Sequence, residues 1–270
     1  MLTNCLLGQK TEYKETYSPE LLFPIPRTFA RDKIGMKDPL PFNGSDLWTG
    51  FELSWLNPKG KPVIALGDFI FPCTSPNVVE SKSFKLYLNS FNQTRFNSFE
   101  EVQQTIEKDL TSVAGSEVKV SIFPASFFTN FSIHHLKGEC LDSLDVDIET
   151  YEVNPHFLTT SEKVVEETLY SDLLKSNCLA TGQPDWGSLL VHYVGPEINH
   201  KGLLKYIISF RRHSGFAEHC VEEIFSDIMD HCKPEKLTVY ARYTRRGGLD
   251  INPFRSNFEL APQNSRLIRQ

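Results

Sequence analysis

Between Phe51 and Ile122 the apolar residues change period twice, from two to about 3.6 and back, which confines the stretch to a hairpin, helices and a closing strand. Phe51, Leu53 and Trp55 alternate with Glu52 and Ser54, Asn57-Pro58-Lys59-Gly60 supplies a turn, and Pro62–Phe71 returns as an apolar strand. After Ser75-Pro76-Asn77, Phe84, Tyr87, Leu88 and Phe91 recur at helical spacing. Ser98 and Glu101 then form a capping box ahead of Val102, Ile106 and Leu110. Val118, Val120 and Ile122 alternate with Lys119 and Ser121 as the next strand.

The second half repeats this rhythm. Ser188–Val194 and Leu203–Arg212, flanking Gly195-Pro196-Glu197-Ile198-Asn199, predict a second long hairpin. Val221, Ile224, Phe225 and Ile228 form a helical stripe that Pro234 ends, and Leu237, Val239, Ala241 and Tyr243 alternate as a strand. Lys163–Lys175 fits helix or strand, and Pro124–Pro155 shows no clear period. The first 45 residues, with Pro19, Pro24, Pro26, Pro39 and Pro41, predict an extended arm over the surface. Two β-β-α-β units without clear sequence identity predict an α+β chain of antiparallel sheets covered by helices on one face. The expected modules are 1–150 and 151–270.

A chain of 270 residues with 40% hydrophobic and 23% charged content has the material for a substantial core. No apolar run approaches the ~18 residues that span a bilayer, and Met1–Lys10 lacks the pattern of an export signal, so a cytoplasmic location is expected. Cys5, Cys73, Cys140, Cys178, Cys220 and Cys232 are scattered, which suits free thiols in a reducing compartment. A formal charge of −6 argues against a nucleic-acid partner, although Arg242, Arg245 and Arg246 make a local basic spot.

Four segments offer chemistry. Glu80–Tyr87 opens a helix after a turn, where backbone N–H groups and two lysines can hold an anion, or it is a plain amphipathic helix start. In Ser176–Gly187 a Gly- and Pro-containing bend can fold Asp185 back towards Cys178. A thiolate is the natural nucleophile for an unsaturated carbon and a nearby carboxyl its proton donor; the plainer reading is a small core cysteine beside a turn. Arg245–Pro253 ends a strand in a loop whose glycines admit close backbone approach and whose arginines can grip phosphate, or it is a solvated basic turn. Glu218 opens the last helix as a ligand-binding or a dipole-compensating carboxylate. His219, Cys220, His231 and Cys232 follow no standard zinc spacing, and no metal is expected.

At these residues the sequence closely resembles, over nearly its whole length, the bimodular NADPH-dependent 7-cyano-7-deazaguanine reductase family. The signature Glu-(Ser/Leu)-Lys-(Ser/Ala)-hydrophobe-Lys-(Leu/Tyr)-aromatic is matched at every position of Glu80–Tyr87. The resemblance implies two tandem tunnelling-fold modules related to GTP cyclohydrolase I, and a homodimer with sites between modules. It implies Cys178 as nucleophile and Asp185 as general acid. It also implies that Val79, Glu80, Ser81 and Glu218 touch the base, with position 217 lining the same site, and that Ser81, Lys82, Arg246 and Gly247 hold NADPH. The family has Phe-His-Glu where this chain has Phe216-Ala217-Glu218, so a histidine is missing, and His219, two residues on, points to nearly the opposite helix face. The implied chemistry is attack of Cys178 on a nitrile, protonation by Asp185 and reduction to the amine. A non-catalytic purine-binding module and a zinc-dependent ring-opening hydrolase are the competing readings.

Overall fold

A computed structural model describes residues 13–130, 132–179 and 181–270; Cys5 and Ala180 lie outside these described residues. The elements of the first half are β1 (Pro24–Pro26), α1 (Thr28–Arg31), β2 (Asn43–Leu56), β3 (Pro62–Pro72), β4 (Asn77–Val79), α2 (Ser81–Asn89), α3 (Phe99–Ala114) and β5 (Lys119–Pro124). There follow β6 (Ile133–His134), β7 (Glu139–Cys140), β8 (Thr160–Asn177), β9 (Pro184–Ile198), α4 (His200–Ser209), α5 (Ala217–Cys232), β10 (Lys236–Tyr243), β11 (Leu249–Ser256) and β12 (Arg266–Leu267). The α+β class is as expected. Two compact units share the chain: the first takes residues up to Lys33, Asp46–Ser132 and Arg245–Asp250, the second Ile34–Ser45, Ile133–Thr244 and Ile251–Gln270. They are interleaved in sequence rather than meeting once near residue 150.

In the first unit the strand order is β5-β3-β2, and β3 runs antiparallel to β5. Helix α2 lays Phe84 on this sheet, edge-on to Phe69 at 4.9 Å and tilted against Trp48 at 5.7 Å. All three rings are buried, and truncating Phe84 would cost about 3–5 kcal/mol through lost transfer energy and the cavity left behind. Ser98 caps α3 through the Glu101 N–H, but the Glu101 carboxylate turns to Asn97 instead of closing the capping box. From Pro24 to Arg31 the expected surface arm is instead packed in. Ile25, Arg27 and Arg31 are buried, Arg27 pairs with Asp46 at 2.6 Å, and β1 pairs with β4 so that Pro24 faces Val79.

In the second unit the order is β11-β10-β9-β8-β7, antiparallel except that β7 joins β8 in parallel. Two expectations change here. Lys163–Lys175 is strand, and the long hairpin is β8 with β9, whose connection carries Cys178. Leu203–Arg212 is helix α4 running into a short 3-10 turn, because Asn199 caps it through the Gly202 N–H at 2.9 Å and Leu203, Tyr206, Ile207 and Phe210 line one buried face. Consecutive Ile207 and Ile208 had imitated a strand.

With that change both halves read strand, strand, helix, helix, strand, and a repeat absent from the sequence reading emerges. Tyr87-Leu88-Asn89-Ser90-Phe91 ends α2 as Tyr206-Ile207-Ile208-Ser209-Phe210 ends α4. In each, the serine hydroxyl donates to the tyrosine carbonyl at 2.6 Å, and the tyrosine hydroxyl donates to a carboxylate of the following helix, Asp109 or Asp227.

Candidate functional site

Val79 ends β4, buried, and the chain turns directly into α2. Glu80 is the N-cap: one carboxylate oxygen accepts from the Lys82 N–H and the other from the Ser83 N–H, both at 2.7 Å. Its own N–H donates to Phe23, and Ser83 Oγ bridges the Glu80 carbonyl and the Phe23 N–H. The carboxylate is thus fixed, each oxygen keeping a lone pair for a ligand. Burial raises the Glu80 pKa, against the pull of the two amides and then of Lys85 and Lys82. The expectation that the amides at this helix start hold an anion is corrected for two of them: Lys82 and Ser83 spend theirs on Glu80.

Arg245–Gly248 is a tight turn leading into β11 rather than an open loop; Arg246 and Leu249 exchange backbone hydrogen bonds around Gly247 and Gly248, both at positive φ (60° and 76°). A Cβ on Gly247 would stand 3.3–3.7 Å from the outer atoms of Lys85. Lys85 therefore lies beside the glycine turn as well as near Glu80, so Ser81, Lys82, Arg246 and Gly247 share one unit with it. Two lysines and a glycine turn fit a phosphate-bearing cofactor. Lys85 is the second of the two lysines that the Glu80–Tyr87 segment offers to an anion.

Cys178, Asp185, Ala217 and Glu218 belong to the second unit. The β8–β9 register pairs Ser176 with Asp185 and Asn177 with Pro184, and the Cys178 N–H continues it to the Gln183 carbonyl at 2.9 Å. By the alternation of strands, Ser176, Cys178 and Asp185 share a face, and Cys178 and Asp185 are diagonal neighbours, roughly 7–8 Å apart between backbones. The bend between them is closed by the Gly182 N–H donating to the Cys178 carbonyl at 3.0 Å, with Gly182 at φ 65°. Cys178 is half-buried, while Cys220 is buried and desolvation raises its pKa. Lys175, beside Asp185, has its ammonium pKa lowered by burial and by Arg211, with Asp185 opposing.

The Asn177 N–H donates to the His213 carbonyl, and the Gly215 N–H to the Asn177 carbonyl, so the segment entering α5 lies along the strand end. Ala217 and Glu218 then form the first turn of α5; Glu218 is 4% exposed and Ala217 half-buried. Of the four residues weighed as metal ligands, Cys220 and Cys232 are buried thiols and His231 faces the His156 ring. His219 instead approaches His213 and Glu223, neither of which was singled out from the sequence.

The family described as "Nitrile reductase, 7-cyano-7-deazaguanine-reductase N-term" matches residues 13–122, and that described as "QueF-like protein" matches residues 184–261. An NADPH-dependent 7-cyano-7-deazaguanine reductase of Burkholderia thailandensis is 56% identical over 267 residues, 98% of this chain and 97% of that protein. The chain belongs to the 7-cyano-7-deazaguanine reductase family. Among solved structures, the archaeosine synthase QueF-Like in the apo form aligns with a TM-score of 0.32 and 14% identity over 38% of this chain and 99% of its own.

Proposed function

We propose that this chain reduces the nitrile of 7-cyano-7-deazaguanine to the aminomethyl group of 7-aminomethyl-7-deazaguanine, a step of tRNA queuosine biosynthesis, through a covalent adduct on Cys178. The observation that carries this reading is the 56% identity over 98% of the chain to an NADPH-dependent reductase of that base. The β8–β9 register is consistent with it, since Asp185 pairs with Ser176, two residues before the half-buried Cys178.

In this reading the Cys178 thiolate attacks the nitrile carbon and Asp185 gives the nitrogen its proton, leaving a thioimide. When bound, each NADPH would supply one hydride, so two molecules in turn take this carbon to the amine, the Cys178 sulfur leaving between the two transfers. Ser81, Lys82, Arg246 and Gly247, with Lys85 added, would hold the cofactor. Departure of the Cys178 sulfur from the reduced carbon frees the nucleophile. Glu80, immobilised by two amides, and Glu218 each accept hydrogen bonds from the N–H edges of the base, with Val79, Ser81 and Ala217 beside it.

The resemblance extends to a homodimer in the cytoplasm, without nucleic-acid or membrane partners; no helix among the described residues is long and apolar enough to cross a membrane. The test is NADPH absorbance with and without 7-cyano-7-deazaguanine: base-dependent loss of two NADPH per base is expected. Base binding without any oxidation would favour the non-catalytic reading that Ala217 invites.

A further inference from the structure

His213 follows the short 3-10 turn Phe210–Arg212, and His219 and Glu223 stand four residues apart on α5, hence on one helix face. One donor atom from each of the three lies within 4.8 Å of the other two. His213 Nε2 is 3.7 Å and His219 Nε2 3.9 Å from the same oxygen, Glu223 Oε2. These separations are too long for direct hydrogen bonds. Around a tetrahedral ion with ligands at ~2.0–2.1 Å, donors lie about 3.3–3.4 Å apart, so small side-chain rotations convert one arrangement into the other. Glu223 Oε2 is buried and has no hydrogen-bond partner.

Local packing holds this set in place. The His213 ring is tilted against Phe210 at 5.3 Å and against His219 at 6.1 Å. Residue 215 is glycine, and a Cβ there would come within 2.7 Å of His213 Nε2, so its absence keeps the space before that nitrogen open. The three side chains are only 11–17% exposed, enclosed yet reachable from solvent. Cys220, on the same helix, is fully buried and desolvation holds its thiol protonated.

We propose that His213, His219 and Glu223 form a binding site for a divalent transition metal, Zn²⁺ by the character of its donors. Two imidazoles and a carboxylate are a sufficient protein ligand set for zinc, with a fourth position left to water. A metal held there would tie α5 to the segment whose backbone pairs with Asn177, next to Cys178.

The experiment uses the full-length chain, stripped with chelator and dialysed against Zn²⁺ or Co²⁺, with metal counted by plasma mass spectrometry and Co²⁺ ligation read by visible absorption. One equivalent per chain is expected, with a Co²⁺ spectrum free of thiolate charge-transfer absorption and a metal-dependent rise in Tm. Loss of an outer partner alone costs a metal site roughly 10–100-fold in affinity, so His219→Ala and the isosteric Glu223→Gln should each weaken binding at least that much. Both variants should keep the wild-type Tm measured in chelator. The proposal is overturned by no retained metal, by retention unchanged in both variants, or by a thiolate spectrum that Cys140 or Cys178 would give.

Discussion

The backbone N–H of Asn177 donates to the carbonyl of His213 at 2.8 Å, and Asn177 receives the N–H of Gly215 at 3.2 Å in return. The residue preceding Cys178 and the residues preceding α5 are thereby held together. The strand end that leads to Cys178 and the helix start that carries Glu218 are joined by the same two bonds, so the proposed chemistry of the thiol is best probed with this pairing left intact.

Thiol reactivity should divide sharply. Burial pushes Cys220 up to about 12 and Cys232 to about 11, while Cys178 is half-buried and Cys140 exposed. At pH near 8, iodoacetamide should label Cys178 and Cys140 and spare Cys73, Cys220 and Cys232. Without NADPH, the nitrile base should add its mass to the wild-type chain and not to Cys178→Ala. Asp185→Asn should form adduct roughly a hundred-fold more slowly. Equal adduct rates would assign the proton to another group.

Ala217 stands where the family carries histidine, at the first turn of α5 beside buried Glu218. A positioned acid-base group is worth ~10²–10⁴-fold in rate. Ala217→His should therefore raise base-dependent NADPH oxidation at least roughly tenfold, with Tm little changed. A flat rate in an active protein would show that the histidine's family role does not carry over.

Glu80 has a pKa raised by burial above its ordinary 4.5. An acid raised in the folded state favours folding when protonated. That contribution is complete below the unfolded value and is lost as pH climbs through the folded one. Glu80→Gln cannot ionise and lacks this slope. In the free protein, the wild-type Tm minus the variant Tm should therefore fall as pH rises above the ordinary carboxylate value of 4.5; a difference that grows instead would mean that Glu80 ionises more readily in the fold than in the unfolded chain.

Glu222 and Arg255 form a pair at 2.8 Å, 3% and 0% exposed. Removing one partner strands a buried charge, at a cost of about 3–5 kcal/mol. Urea unfolding of Glu222→Ala should show a loss of that size, and Glu222→Gln, which keeps an acceptor for the Arg255 Nε–H, a smaller one. A loss under 1 kcal/mol, a scale set by exposed ion pairs, would mean that water reaches the site.

The strands and helices around Phe51–Ile122 were legible because each holds one period long enough to read, and the Glu80–Tyr87 motif lay within them. The region around α4 was misread because isoleucines serve strands and helices alike, and only Asn199 as a cap distinguishes them. That error hid the β8–β9 hairpin, whose strands are long and whose exposed positions carry few alternating signals. The bend that joins Cys178 to Asp185 was legible from its glycine and proline. The register that sets their face was not, since it depends on which strands pair. Neither Lys85 beside Gly247 nor His213 beside Glu223 has a spacing signature, because each contact joins segments far apart in the chain or lying across a loop.

The Tyr-x-x-Ser-Phe ending shared by α2 and α4 has an implication for descent. An ancestral gene doubled in tandem would begin with two interchangeable halves. Here the helix endings still agree, while the caps that open the same helices have parted, Glu80 in one copy and Asn199 in the other. The helix ending has been kept twice, while the opening cap is a carboxylate in one half and an amide in the other.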